Sequence, residues 1–207
     1  MFLEKEITVK LFKIKMLVIA ALMLAANSAF ASYAVDFNVD TSSLVNTTGY
    51  IDFQFNPGND FMGAATASVT NYTPSVSLVG APTLTGSAYN ALPGTVTISN
   101  IDGNLAISPN NDYFQQVNFG DSLKFRLTLD GAAGSSFYMS FFNQDLTAGV
   151  LTNDPGGVAT SVDLNTDGIT VNNNSDQVAA TPTPVPAAAW LLGSGLMSLV
   201  GLRRKKV

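Results

Sequence analysis

The chain has no cysteine and no histidine. Without cysteine there are no disulfide staples and no thiolate nucleophiles, so stability has to come from a packed core. Without histidine the usual general base is missing. Ser-His-Asp and Cys-His catalysis are excluded, as are zinc sites built from those ligands. Between residues 32 and 186 there is also no Glu, and the only cations are Lys124 and Arg126. A glycosidase-like carboxylate pair would therefore have to be two aspartates, and oxyanion or phosphate chemistry is poorly supplied. No Walker-type or dinucleotide-binding glycine motif occurs. So few chemical groups remain that the sequence points away from an enzyme and implies no cofactor.

What is present is unevenly spread. Lys5, Lys10, Lys13, Lys15, Arg203, Arg204, Lys205 and Lys206 lie near the two ends of the 207 residues. Residues 32–186 hold thirteen Asp against two cations, a net charge of −11 where the whole chain has −5. A surface of that sign repels nucleic acid, whose binding needs clustered Lys and Arg. It suits an extracellular surface, or one that takes up cations.

Residues 1–31 have the three zones of a secretory signal peptide. Four lysines precede an uncharged apolar run, Met16 to Ala26, and Asn27-Ser28-Ala29-Phe30-Ala31 follows with small residues at Ala29 and Ala31. That pattern predicts cleavage after Ala31. A helix over the apolar run spans only about 16 Å, too short for a bilayer core of about 30 Å.

The other end is also tripartite. Residues 172–186 read as a polar, then Pro-rich linker ending in Pro184-Val185-Pro186. Residues 187–202 are uncharged and read as a short transmembrane helix of about 24 Å, with Trp190 placed for the outer interface. Residues 203–207, with Arg203, Arg204, Lys205 and Lys206, form a basic tail that the positive-inside rule keeps in the cytoplasm. The preceding domain then faces outward, in agreement with the export signal.

Pro184-Val185-Pro186, the apolar segment with Trp190-Leu191-Leu192-Gly193-Ser194-Gly195-Leu196, and the terminal Arg/Lys cluster resemble the PEP-CTERM sorting tail. Val185 stands where the family's name has Glu. The resemblance covers residues 182–206 and implies signal peptidase and an exosortase-type transpeptidase as processing partners. It also implies transient anchoring in the inner membrane, then release or transfer to the cell surface of a bacterium that makes exopolysaccharide. Val39-Asp40-Thr41-Ser42-Ser43-Leu44, with Gly49 to Gly58, is similar to a recurrent group of such proteins that has no assigned activity.

Between the ends the hydrophobic period is two. Leu123, Phe125, Leu127 and Leu129 alternate with Lys124, Arg126 and Thr128. Tyr33 to Val39, Ile51 to Phe55, Ala65 to Val69 and Val158 to Leu164 repeat the pattern. Shorter candidates are Val76–Val79, Thr95–Ile98, Leu105–Ile107, Phe114–Phe119, Phe137–Phe142 and Ile169–Val171. Pro57-Gly58, Pro93-Gly94, Asp102-Gly103, Asp130-Gly131 and Asp167-Gly168 punctuate them as turns. The expected fold is an all-β antiparallel sandwich over residues 32–171, with a jelly roll as its nearest competitor. Strand order is not legible.

Three functional readings remain open. The main one is a non-catalytic surface or extracellular-matrix protein. The second is a module binding exopolysaccharide, which needs exposed aromatics. Tyr138 and Phe142 lie opposite Phe137, Met139 and Phe141 on one strand, and Tyr113 and Phe114 adjoin a turn. A strand with aromatics on both faces is more simply read as buried on both. The third is a calcium-stabilised adhesion domain, because Asp163, Asn165 and Asp167 with Gly168 match half of a calcium loop. Position twelve of that loop is Asn174 rather than Glu, so a β-hairpin turning at Asp167-Gly168 competes with it.

Overall fold

The alternation of Leu123 to Leu129 becomes one face of a strand. All four apolar residues are buried, while Lys124 is exposed. The computed structural model describes residues 32–183 apart from Leu105 and contains twelve strands over that range. They are β1 (Tyr33–Asp40), β2 (Thr48–Pro57), β3 (Ala65–Pro74), β4 (Ser77–Thr85), β5 (Ala88–Tyr89) and β6 (Val96–Ser99). The second half adds β7 (Asp112–Asn118), β8 (Ser122–Gly131), β9 (Ser135–Asn143), β10 (Val158–Asn165), β11 (Gly168–Asn173) and β12 (Val178–Thr183).

These make two six-stranded antiparallel sheets, ordered β12-β1-β8-β3-β6-β5 and β11-β10-β9-β2-β7-β4. Together they form the expected β-sandwich. The pairing has a simple rule: β1 lies beside β8, β2 beside β7 and β3 beside β6, while the short turn at Gly86-Ser87 joins β4 to β5. The chain therefore runs out and back as one long ribbon. Most of its connections cross from one sheet to the other, so inward residues from both sheets meet in a single core. Phe53 of β2 shows how: its ring centroid lies 5.2 Å from Phe125 of the facing sheet and 5.8 Å from Phe137 beside it. Phe125 in turn stacks on Phe37 at 4.9 Å. Burying aromatic rings of this size contributes roughly 2–3 kcal/mol each, which replaces what disulfides would otherwise supply.

The sandwich extends beyond the expected boundary. Ending it at Val171, with a linker from 172, is corrected by β11 running to Asn173 and by β12. Strand β12 pairs with β1 from Ala34↔Thr183 to Val39↔Val178, and Val178 is buried. Two features hid it. Val178-Ala179-Ala180-Thr181-Pro182-Thr183 alternates weakly, and Pro182 argues against a strand. As an edge strand, β12 tolerates a residue that cannot donate to a ladder. In the opposite direction, the candidate strand at Leu105–Ile107 is reduced to an isolated bridge between Ile101 and Ile107. Among the described residues no helix is long and apolar enough to cross a membrane.

Candidate functional site: an aromatic dish on the second sheet

Strand alternation sends Ile51, Phe53 and Phe55 of β2 into the core and Tyr50, Asp52, Gln54 and Asn56 to the outer face. Register aligns their outer neighbours. Phe142 of β9 lies opposite Tyr50, Ser140 opposite Asp52 and Tyr138 opposite Gln54. On the other side, Gln116, Phe114 and Asp112 of β7 face Tyr50, Asp52 and Gln54. Tyr50 and Phe114 stack with centroids 4.8 Å apart and planes 14° from parallel, and Phe142 tilts against Phe114 at 6.4 Å. All three rings, and Tyr138, remain partly exposed. The expectation that β9 is buried on both faces is corrected here. Phe137, Met139 and Phe141 are fully buried, whereas Tyr138 and Phe142 look outward.

Asp52 is a short side chain among tall ones, so it forms the floor of a shallow aromatic dish and is only 5% exposed. Its Oδ2 accepts a hydrogen bond from Gln54 Nε2 at 2.7 Å, and Gln54 Oε1 accepts one from Asn56 Nδ2 at 3.2 Å. Oδ1 of Asp52 and Oδ1 of Asp112 are both buried and receive no protein donor. The two carboxyl groups stand near enough for each to shift the other's titration. Burial, and then the neighbouring Asp112, push the Asp52 carboxyl up to about 8. Burial raises Asp112 as well.

The other candidates lie elsewhere. Tyr113 points into the core and stacks on Phe53 at 6.0 Å, so it takes no part in the dish. Both cations of the described region lie on β8 in the first sheet. There Arg126 makes a two-pronged ion pair with Asp36 at 2.7 Å and 2.7 Å. That hydrogen-bonded pair holds Asp36 below the usual carboxylate range and raises Arg126, but its exposure keeps its worth small.

At the half calcium loop the chain makes the β10–β11 hairpin, with Asn165 paired to Gly168 across Thr166-Asp167. Asp163 spends its oxygens on Ser136 Oγ at 2.6 Å and Asn172 Nδ2 at 2.8 Å. Asn165 Nδ2 donates to Thr170 Oγ1 at 3.0 Å, and Asp167 is exposed at the tip. Among the described residues no three acidic side chains stand close enough to share a metal ion. Ala29, Ala31, Pro184, Val185, Pro186, Trp190, Arg203, Arg204, Lys205 and Lys206 lie outside the described residues.

Sequence reasoning singled out Tyr138, Phe142 and Phe114 as candidates but missed Tyr50 and the Asp52–Asp112 pair. The outward placement of Asp52 was legible from the alternation of β2. Its meeting with Asp112 depends on β2 lying next to β7, and no local signal carries that. Compared with family models, curated proteins and solved structures, the chain gives no match.

Proposed function

We propose that this is an exported, non-catalytic surface or matrix protein whose sandwich offers a glycan-binding face, the outer side of the second sheet. The observation that carries the binding part is the partly exposed trio Tyr50, Phe114 and Phe142, flanked by Asp and Gln side chains. Ring faces give a sugar's C–H surface flat apolar area, and polar groups at their edges accept its hydroxyls. In the same proposal the fold is a jelly-roll core, β1 to β8, extended by four C-terminal strands. The nested pairing of β1 with β8, β2 with β7 and β3 with β6 supports it.

Phe114→Ala is expected to weaken retention by a soluble glycan in affinity electrophoresis by roughly tenfold, the worth of one aromatic platform. The melting temperature should change little, because the ring lies outside the core. Unchanged retention of every glycan that binds the parent protein would count against the face.

Delivery rests on the sequence of the two ends. A signal peptide ending at Ala31, an exosortase-type step near Pro184-Val185-Pro186 and a temporary inner-membrane anchor account for their composition. With Pro184→Ala and Pro186→Ala together, the surface-released product should disappear and a larger, membrane-held species accumulate, read by intact mass. Release of a product of unaltered size would sink the sorting assignment.

A further inference from the structure

A neutral sugar would use the rim of this dish and ignore its floor. The floor is the part of the surface with unmet chemistry. Asp52 Oδ1 and Asp112 Oδ1 are buried and receive no donor from the protein. None of the six strands of the second sheet carries a Lys or Arg. Asp163 of β10 adds a further acidic group to the same outer face, opposite Ser136 of β9. A polyanionic chain approaching here meets only like charge. A protonated amine has what the site lacks. It brings N–H donors for carboxyl oxygens and a positive charge for the electron-rich ring faces of Tyr50, Phe114 and Phe142.

Resting on the glycan reading above, we infer that this face selects amino-sugar polymers with free, protonated amines. The apolar side of a sugar ring lies on Phe114 and Tyr50, and the ammonium turns toward the carboxyls. Asp112, partly exposed, makes the first contact, with Asp52 behind it. Aromatic rings and a buried acid together fit an ammonium better than either does alone. The rings strip water from the cation, and a carboxylate is worth more to a cation where water is thin.

The test is calorimetric titration of the protein, in mildly acidic buffer, with three soluble oligomers of matched length. These are a glucosamine oligomer, its N-acetylated counterpart and an oligogalacturonate. The glucosamine oligomer is expected to bind about tenfold tighter than the N-acetylated one, the difference one charge-assisted contact makes. The oligogalacturonate should bind weakest. In Asp112→Asn the two aminohexose oligomers should become equal, at the affinity the parent shows for the N-acetylated form. Phe114→Ala should weaken both by the same factor and leave their ratio intact.

A second reading needs no variant. Raising the pH through the amine's own titration should erase the parent protein's preference. The groups facing Asp52 and Asp112 are Gln54 of β2, Ser140 and Tyr138 of β9, and Thr83 and Thr85 of β4. Asp163 lies beyond them on β10. Deprotonating any acid among these makes the face more negative, so loss of the preference with rising pH reports on the ligand's charge. Equal affinity for the two aminohexose oligomers in the parent protein would overturn the amine inference and leave the glycan face standing. Binding of none of the three would overturn both.

Discussion

Asp52→Asn is expected to stabilise the protein at neutral and mildly alkaline pH, although it removes a buried hydrogen-bonded group. In the folded state Asp52 holds its proton up to about 8, against 3.8 for an ordinary aspartate. Between those values the folded chain keeps a proton that the unfolded chain has released. Stability from this group is therefore fully present below about pH 4 and is lost as pH rises towards about 8, where the loss levels off. Each unit of separation is worth about 1.4 kcal/mol, so a loss of a few kcal/mol across the window is the right order. Asparagine removes the titration. Its amide can also offer a donor to the buried, unpartnered Asp112 Oδ1. Melting curves of parent and variant should converge at the acid end and separate by about 5–10 °C at the alkaline end. Asp36 has the opposite sign, since its pKa is lowered by Arg126, and it weakens the fold only as pH falls. It is common to both proteins and cancels in the difference. Parallel pH profiles would mean that Asp52 is ionised in the folded state.

The reach of the sequence follows from which interactions are local. Period-two alternation is local, and it located β1, β2, β3, β8 and β10 because each has one face in the core. Leu123, Leu127 and Leu129 of β8 are fully buried, while Lys124 remains exposed. Turn chemistry is local too, and Asp167-Gly168 closes the β10–β11 hairpin. Edge strands carry a weaker alternation because only one neighbour orders them. Strand β12, made of Ala, Thr and Pro around one buried Val178, is held by its ladder to β1 more than by its side chains. The dish depends on long-range order alone. Its rings come from β2, β7 and β9, and Tyr50 meets Phe114 across 64 positions of sequence. An aromatic on each face of β9 was visible, but which face met solvent depended on the strand order.

Asn111→Ala is expected to be among the most costly single polar truncations in the described region. Asn111 is fully buried, and every polar group on it is used. Its backbone N–H donates to Asn56 Oδ1 at 2.9 Å, and its Oδ1 accepts from the Ser87 N–H at 2.9 Å. Nδ2 donates to the carbonyls of Phe55, at 3.1 Å, and Ser108. One side chain thus ties the end of β2, the β4–β5 turn and the loop entering β7. Gly86, at φ +61°, completes the fit, since a Cβ there would stand 2.6 Å from Asn111 Oδ1. Alanine leaves one donor and two acceptors without their partner, at about 1–3 kcal/mol for each that water cannot reach. A loss of about 3–5 kcal/mol, read as a fall in melting temperature of about 10 °C or more, is the expected result. Asn110→Ala, one residue away and exposed, should change stability by less than about 0.5 kcal/mol. Asn111→Asp tests the mechanism, because it keeps the shape but replaces the amide donor with a buried acid. It should be as damaging as alanine at neutral pH and partly rescued in acid, where the protonated carboxyl again offers a donor. Asn111 also stands directly before Asp112 and anchors the backbone that carries it. Alanine there should therefore weaken glycan binding at temperatures where the fold is still intact, whereas a bond network that merely staples the loop would leave binding untouched.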